Sequence, residues 1–326
     1  MTHRSSINGA AGPRRFRRVL LYAVLFVCIS CVCTKHSRVT VIRSWYQPAE
    51  PTRIVGPIHF VGTKGLGVYL IKTPAGHILI GGGMPSMTDL LEQSIVAQGV
   101  QMSEIKLILV NHAHIDHVGT LKAMKQRTGA TVCVMDREAS LLASGGKDDY
   151  LAVLRLIRFP EVEADRILKH GEPVTHGGVT VTAYCTPGHT PGSTTYQVNV
   201  TDETGEYNVV FPDGTGINPG TRLTDRPSYP TILEDYRSTL AFLGTLKPDI
   251  FLTYHTEEFD FDRKRALASS MGAKAYMDRD GYARFIAERK QALEKRVEDE
   301  RGNRPIEQSP ALDPCCDCLL YTSPSP

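Results

Sequence analysis

The fold prediction for this chain depends on the stretch IKLILVNHAHIDH at residues 105–117. Six mostly apolar residues predict a buried strand, and four potential metal ligands follow it within six positions. In an extended backbone His112 and His114 would point to the same side, while Asp116 and His117 follow on the turn. Imidazole and carboxylate groups are the ligands that zinc takes where thiolate is absent. The stretch therefore predicts a metal site at the end of a strand.

The length and charge balance of the chain allow one large globular domain. Its 326 residues are 41% hydrophobic with a formal net charge of +2, so a sizeable core can form and no nucleic-acid partner is indicated. Of the eight cysteines, only Cys133 and Cys185 fall in the predicted globular part. Both occupy strand-like positions, where a buried free thiol is the ordinary interpretation.

The first forty residues have the pattern of a targeting segment. Four arginines between residues 14 and 18 precede an uncharged, mostly apolar run from Val19 to Cys33. A run of about fifteen residues suits the apolar region of an export signal and is short for a membrane span of roughly 20 residues. We expect a signal peptide over residues 1–40 and a periplasmic or secreted protein. An uncleaved membrane anchor and an organelle transit peptide are the alternatives.

Short apolar runs alternate with helical segments through the body of the chain. Strand-like runs such as residues 68–71 are bounded by glycine or proline, and residues 86–96 show helical spacing. A second strand-rich half covers residues 179–211, and a helix through Leu240 precedes a strand that ends at His255. Strand sets that flank helices twice predict two sheets between two helix layers.

The C-terminal part of the predicted domain, which spans residues 45–300, has a charged and helical pattern. Residues 262–301 carry an apolar stripe, and we predict that Gly281 divides it into two helices. No pattern attaches residues 301–326 to the fold, and we predict an unstructured tail there.

The segment from Lys147 to Glu163 has no clear periodicity and carries several apolar residues, among them Ile157 and Phe159. These side chains can belong to the core or can form an apolar flap over a cleft, since long loops in compact domains are often functional. Both interpretations stay open from the residues alone. On the second one, Ile157 and Phe159 are candidate substrate contacts.

Two further histidines complete the candidate metal site. His189 lies in the sequence TPGHTPGS at residues 186–193, a turn in which proline and glycine constrain the backbone. His255, like His112, follows directly on a predicted buried strand. These two histidines supply the ligands that the two halves of the candidate metal site still lack. Four other histidines have no such placement and are left out, namely His59, His77, His170 and His176.

These motifs resemble those of metallo-β-lactamase-fold hydrolases, and most of all the third subclass, B3, of true metallo-β-lactamases. The sequence HAHIDH at residues 112–117 matches the superfamily signature. GHTPGS at residues 188–193 and GGKDD at residues 145–149 look specific to the subclass. The resemblance extends from Ile54 to the C-terminal helix. It implies a four-layer αβ/βα sandwich with the metal site at the edge of the two sheets.

The resemblance also implies two zinc ions and a hydrolase mechanism. The implied ligands are His112, His114 and His189 for the first ion, and Asp116, His117 and His255 for the second. A water between two such ions loses a proton near neutral pH. The resulting zinc-bridging hydroxide would open the amide ring of a β-lactam antibiotic. Asp116, His114 and His189 are the implied catalytic residues, with Asp116 orienting the hydroxide.

Three positions depart from the pattern of the family. Gly81 stands where an Asp or Asn usually braces the metal loop, which predicts weaker support for that loop. Gly214 and Gly216 stand where the subclass carries serines that grip the substrate carboxylate. Arg222, Arg226 or a backbone N–H would then bind that carboxylate. The candidate substrate-binding residues are therefore Gly216, Arg222, Phe159 and Ile157.

Two other functions stay open. A lactonase or a glyoxalase-type thioesterase on the same fold would use an aspartate that bridges both metals, and Asp213 is the candidate. A non-catalytic metal-binding or partner-binding protein is the third reading, although an intact set of six ligands argues against it. We expect a small-molecule substrate, no nucleic acid, and no stable membrane partner unless the N-terminal segment stays uncleaved. The sequence does not define an oligomeric state.

Overall fold

The computed structural model describes residues 40–152 and 157–302. The predicted signal segment over residues 1–40 and the predicted tail over residues 301–326 lie outside the described residues, apart from residues 40, 301 and 302. Within the described part, a compact unit begins at Ile42. Among the helices of these two ranges, none has the length and apolar character needed to cross a membrane.

The first of two sheets carries the strand that leads into the predicted metal ligands. Its seven strands, in spatial order, are β1 (Thr52–Val55), β2 (Ile58–Phe60), β3 (Tyr69–Ile71), β4 (His77–Ile80), β5 (Ile105–Leu109), β6 (Thr131–Met135) and β7 (Arg166–Leu168). Neighbours are antiparallel from β1 to β4 and parallel from β4 to β7. Parallel pairing brings the C-terminal ends of β4, β5 and β6 to one edge of the sheet, and residues 112–117 leave β5 at that edge.

The second sheet supplies the two remaining predicted ligands. Its five strands are β8 (Glu172–His176), β9 (Val179–Cys185), β10 (Thr194–Asp202), β11 (Gly205–Phe211) and β12 (Ile250–Phe251). Neighbours from β8 to β11 are antiparallel, and β12 runs parallel to β11. His189 lies in the connection between β9 and β10, and His255 follows β12.

Helices cover the outer faces of both sheets. They are α1 (Thr88–Val96), α2 (Ile115–Val118), α3 (Leu121–Thr128), α4 (Ala139–Ala143), α5 (Ile232–Leu243), α6 (Phe261–Met271) and α7 (Arg279–Arg301). Leu91 of α1 and Met124 of α3 belong to one core cluster with Leu79 of β4. On the second sheet, Phe251 of β12 lies 5.8 Å from Phe285 of α7, measured between ring centroids.

The strands alternate between two cores, which confirms the predicted four-layer sandwich. Ile78 and Ile80 of β4 face the core between the sheets, where they join Val181 of the second sheet. Leu79 between them faces the helices. Because both faces of the first sheet are buried, its strands appear in the sequence as continuous apolar runs. Cys133 and Cys185 are free thiols, as predicted, and burial raises the pKa of each to about 11.

The predicted break at Gly281 is wrong. Gly281 lies in the first turn of α7, where its N–H donates to the Asp278 carboxylate at 2.8 Å and so caps the helix. A Cβ at this position would collide with that carboxylate, so glycine is present for close approach. The helices separate instead at Gly272, whose φ of +58° ends α6.

The segment from Lys147 to Glu163 is partly core. Leu151, Ile157 and Phe159 are at most 6% exposed, and Phe159 belongs to the cluster between the first sheet and its helices. The ring of Phe159 packs against Gly146. Residues 153–156 of this segment lie outside the described ranges.

The two-sided burial of the first sheet gives a stability prediction. Leu79 is 0% exposed, so Leu79→Ala would remove buried surface and leave a cavity. We expect a loss of about 2–5 kcal/mol in the free energy of unfolding, measured by urea denaturation. Ile167→Ala is the control, since Ile167 on β7 is 45% exposed, and its effect should stay within about 1 kcal/mol. Equal losses in both variants would contradict the assignment of Leu79 to the core.

Candidate metal centre

The six predicted metal ligands meet at the edge of the two sheets. Each is at most 5% exposed, and they are His112, His114, Asp116, His117, His189 and His255. The loop after β5 and the short helix α2 contribute four of them, the β9–β10 turn contributes one, and the segment after β12 contributes the last. Strand ends from different parts of the chain therefore converge on one buried point.

The ligands form two adjacent groups of three. The first group is His112, His114 and His189, and the second is Asp116, His117 and His255. Within each group the ligand atoms lie within 4.8 Å of one another. The ring centroids of His112 and His117 are 4.2 Å apart, so the two groups are neighbours. The predicted catalytic residues all belong to these groups, and their catalytic roles stay predictions.

Each histidine of the first group has one ring nitrogen bound to a protein oxygen. The pairs are His112 Nδ1 with Asp213 Oδ2 at 2.8 Å, His114 Nε2 with Asp149 Oδ2 at 3.0 Å, and His189 Nδ1 with the Gly216 carbonyl oxygen at 2.9 Å. Such partners fix the orientation and tautomer of an imidazole ring that binds a metal. They leave the opposite nitrogen of each ring for a shared centre.

The atoms that remain in the first group fit a metal ion. His112 Nε2 is buried and makes no hydrogen bond to any described residue. His114 Nδ1 and His189 Nε2 lie 2.9 Å apart. Burial lowers the pKa of His112 well below its usual value, so this ring stays neutral and keeps a lone pair for a cation. Three converging imidazole nitrogens are a donor set for a divalent transition metal.

The second group fits a metal ion through a mixed donor set. Asp116 is 0% exposed, and its Oδ2 lies 3.0 Å from His117 Nε2 and 3.6 Å from His255 Nε2. A carboxylate and two imidazoles that converge in a buried space match the preferences of zinc and similar cations. Neither Cys133 nor Cys185 belongs to a ligand group.

Asp149 stabilises positive charge on His114. Burial alone would lower the pKa of His114, but the hydrogen bond and the charge of Asp149 raise it to about 9. The same contact holds the pKa of Asp149 below its usual value against the effect of burial. This carboxylate therefore favours a cation at His114. Its sequence signal was the motif GGKDD, which the sequence analysis noted without assigning it a role.

A buried glutamate that the sequence analysis missed connects the two ligand loops of the first group. Glu138 is 0% exposed and follows β6 in a 3-10 turn. Its Oε1 accepts a hydrogen bond from the Ala113 N–H at 2.5 Å. Its Oε2 accepts from Thr190 Oγ1 at 2.7 Å and from the Gly192 N–H at 2.9 Å. Burial raises the pKa of Glu138 to about 7, although these hydrogen bonds favour its charged form.

The support expected to be weak at Gly81 comes from elsewhere in the fold. Gly81 has a φ of +81° and contributes no side chain to the metal loop. Asp149 and Asp213 hold two of the ligand rings, and Glu138 holds the backbone between His112 and His114. The loop is therefore braced by three buried carboxylates instead of one.

A cavity opens beside the ligands. Besides four of the histidines, its wall includes Pro212, Asp213, Thr215, Gly216, Tyr254 and Glu258. Gly216 is thus the predicted substrate-binding residue that lines it. Ile157, Phe159 and Arg222 are not among the described residues of this wall. The Arg222 guanidinium is 4.0 Å from Asp225, and its side chain is 48% exposed. A substrate-binding role for these four residues stays a prediction.

The family of the chain follows from a match that contains all six ligands. Residues 68–255 match the family model described as the metallo-beta-lactamase superfamily. The chain belongs to the metallo-beta-lactamase superfamily. This confirms the resemblance drawn from HAHIDH and explains the two sheets with a metal centre at their edge.

Solved structures of this superfamily place the chain near subclass B3. The native FEZ-1 metallo-beta-lactamase from Legionella gormanii is 35% identical, with a TM-score of 0.76 over 78% of this chain and 98% of that one. BJP-1, a subclass B3 enzyme of Bradyrhizobium japonicum, is 32% identical, with a TM-score of 0.75 over 80% and 98%. The class B3 di-zinc enzyme LRA-12 from an Alaskan soil metagenome is 29% identical, with a TM-score of 0.74 over 77% and 96%.

Curated relatives resemble a smaller part of this chain. The probable metallo-hydrolase YqgX of Bacillus subtilis is 30% identical over 109 residues, which is 33% of this chain. The probable metallo-hydrolase YflN of the same species is 25% identical over 153 residues, which is 41% of this chain. The chain spans about half the length of these two relatives, 51% of YqgX and 57% of YflN.

The Glu138 contacts predict a selective effect on the first metal group. Glu138→Gln keeps the size of the side chain but replaces one acceptor oxygen by an NH2 group. This group would face hydrogen-bond donors and find no acceptor. We expect metal affinity to fall about 10–100-fold, measured by competition with a chromophoric chelator. The free energy of unfolding should fall by about 1–3 kcal/mol. Glu161→Gln is the control, since the Glu161 carboxylate pairs with Lys147 at the surface. Unchanged affinity in Glu138→Gln would rule out this bracing role.

Proposed function

We propose that this protein is a zinc-dependent hydrolase that opens the amide ring of β-lactam antibiotics. The observation that carries the proposal is the pair of adjacent ligand groups, one of three histidines and one of two histidines and an aspartate. Similarity to subclass B3 structures over nearly their whole length supports it. A periplasmic or secreted location is a further proposal, and it depends on residues 1–40.

The donor atoms suit two zinc ions, one in each group. Five imidazoles and one carboxylate without thiolate form the set. When bound, such ions lower the pKa of water to about 7 and polarise a carbonyl oxygen. The first group would hold its ion through His112 Nε2, His114 Nδ1 and His189 Nε2, the nitrogens that no protein oxygen occupies. Asp149, Asp213 and the Gly216 carbonyl would keep these rings in place during turnover.

Asp116 would serve as ligand and as the group that handles the proton. Its carboxylate is fully buried and contacts His117 and His255 of its own group. An ionised carboxylate at this position can orient the attacking water and accept its proton on an oxygen atom. It would then pass that proton to the amide nitrogen as the ring opens. His114 and His189 contribute by fixing the reacting centre.

We assign Thr215 as the residue that binds the carboxylate of a β-lactam. Gly214 has a φ of +84°, and a Cβ there would collide with the Thr186 carbonyl oxygen, so a serine does not fit. Thr215 lines the cavity at 7% exposure, and its hydroxyl makes no hydrogen bond to another described residue. The Arg226 side chain is 77% exposed and lies 3.6 Å from Asp225. The Thr215 hydroxyl is therefore a better candidate for binding the substrate carboxylate than the exposed arginines.

The position of Asp213 favours the β-lactamase over the lactonase or thioesterase. Those enzymes would need this aspartate as a ligand shared by both metals. Asp213 Oδ2 instead contacts Nδ1 of His112, the nitrogen opposite to the proposed ligand atom Nε2. Asp213 also belongs to neither ligand group.

Steady-state kinetics with zinc-loaded protein test the proposal. We expect hydrolysis of a penicillin, a cephalosporin and a carbapenem, with weaker turnover of an acyl-homoserine lactone and a thioester. Asp116→Asn keeps the size of the side chain and removes its charge, so kcat should fall at least ~10²-fold in zinc-replete protein. Lactone or thioester hydrolysis without β-lactam turnover would assign the chain to the alternative function. Turnover near that of the wild type in Asp116→Asn would exclude the role of this carboxylate.

The role of Thr215 has its own test. Thr215→Val keeps the shape of the side chain but removes the hydroxyl. A hydrogen bond to a charged group contributes roughly 1.5–3 kcal/mol. The KM for β-lactams should therefore rise about tenfold or more, while kcat changes little. Thr215→Ser retains the hydroxyl and should keep the KM of the wild type. An unchanged KM in Thr215→Val would show that the carboxylate is bound elsewhere.

A further inference from the structure

We propose that the N-terminal segment of residues 42–48 is part of the metal centre, with Trp45 as a positioning residue for His255. The proposal rests on the metal-binding role of His255 in the proposed function. Residues 42–45 are helical, and they precede the first strand of the sandwich. This segment lies at the boundary between the predicted signal peptide and the predicted domain, and no ligand comes from it.

Trp45 is buried directly against a metal ligand. It is 1% exposed, and its ring centroid lies 5.4 Å from that of His255 with a tilt of 41°. The His255 ring also contacts His117 at 5.2 Å. The buried Trp45 Nε1 makes no hydrogen bond to a described residue. Burying an unpaired N–H is costly, so packing of the indole ring against its neighbours must hold this residue in place.

Backbone hydrogen bonds connect the segment to the strand end that carries His255. The Gly65 N–H donates to the Ser44 carbonyl at 3.1 Å, and the Lys64 N–H donates to the Gln47 carbonyl at 3.0 Å. On its other side, the carbonyl of Gly65 accepts from the Thr256 N–H at 3.2 Å. The loop around Gly65 therefore lies between the N-terminal segment and the residue that follows His255.

Gly65 allows this close packing. A Cβ at Gly65 would lie 2.5 Å from Cδ1 of Trp45 and would collide with the Ser44 hydroxyl. Any larger residue would push the indole away from the loop. The absence of a side chain at this position is thus a requirement of the contact between Trp45 and His255.

The contact compensates for weak support from the second sheet. Strand β12 has two residues, and His255 lies four positions beyond it in an isolated bridge with Leu66. The histidines of the first group are held by carboxylates and a carbonyl, and an aromatic ring packs against His255. Restricting the rotation of the His255 ring keeps its Nε2 near Asp116, as metal binding in the second group requires. Processing of the N-terminus must therefore spare residues 42–48.

Cobalt binding to the full chain tests this inference without using turnover. Metal-free wild type, Trp45→Ala, Trp45→Phe and Tyr46→Ala are titrated with Co²⁺, and the two stepwise affinities are measured by visible absorption. Tyr46 is the matched control because it is the adjacent aromatic residue and is 45% exposed. We expect Trp45→Ala to weaken the second Co²⁺ at least about tenfold and to leave the first unchanged. Trp45→Phe should restore most of the second affinity, and Tyr46→Ala should match the wild type.

Three outcomes would overturn the inference. They are an unchanged second affinity in Trp45→Ala, an equal loss of both affinities, and a wild type that binds a single Co²⁺. The thermal midpoints of the metal-free variants show whether each one folds. Two bound Co²⁺ ions without any β-lactam turnover would instead contradict the proposed function and leave the role of Trp45 standing.

A second measurement uses the unmodified chain. Trp45 is the only tryptophan in the sequence, so tryptophan fluorescence reports on this residue alone. Co²⁺ held beside His255 should quench that fluorescence strongly. Full fluorescence with two Co²⁺ ions bound would place the indole away from the metal centre and overturn the inference.

Discussion

The metal centre depends on the hydrogen bonds of one buried carboxylate, that of Glu138. It accepts from the backbone between His112 and His114 and from the turn that carries His189. Without it, the N–H groups of Ala113 and Gly192 would be buried with no acceptor, at a cost of about 1–3 kcal/mol each. The same interaction joins the edges of both sheets at the point where they carry ligands. The geometry of the first group is thus a property of the fold and not of the ligands alone.

Negative charge accumulates behind the ligands. Asp116, Glu138, Asp149 and Asp213 are each at most 8% exposed and surround the five histidines. Burying several carboxylates close together is unfavourable unless cations neutralise them. Two divalent cations would supply that neutralising charge without protonation of the histidines that bind them. The surrounding carboxylates therefore help to explain why this pocket suits doubly charged metal ions.

The candidate ligand groups and the sandwich were predictable because their signals are local. A buried strand that ends in HAHIDH has a distinctive pattern, and so does the continuous apolar run around Leu79. Glu138 had no such signal, since a glutamate after a strand looks the same whether it is buried or exposed. Gly281 misled the helix prediction because glycine marks both chain breaks and close approaches. The packing of Trp45 against His255 and the place of Thr215 in the cavity wall involve residues distant in sequence, which no local pattern records.

The packing of Trp45 against His255 has a consequence for the order in which the protein matures. The two residues are 210 positions apart in the sequence, so their contact closes a very long loop. Contacts of this kind form late in folding, because the entropy of loop closure must be overcome first. A nascent chain that has not yet released His255 from the ribosome lacks the second metal group. A metal ion in the second group would thus stabilise only the completed fold, and that group contributes nothing to early folding.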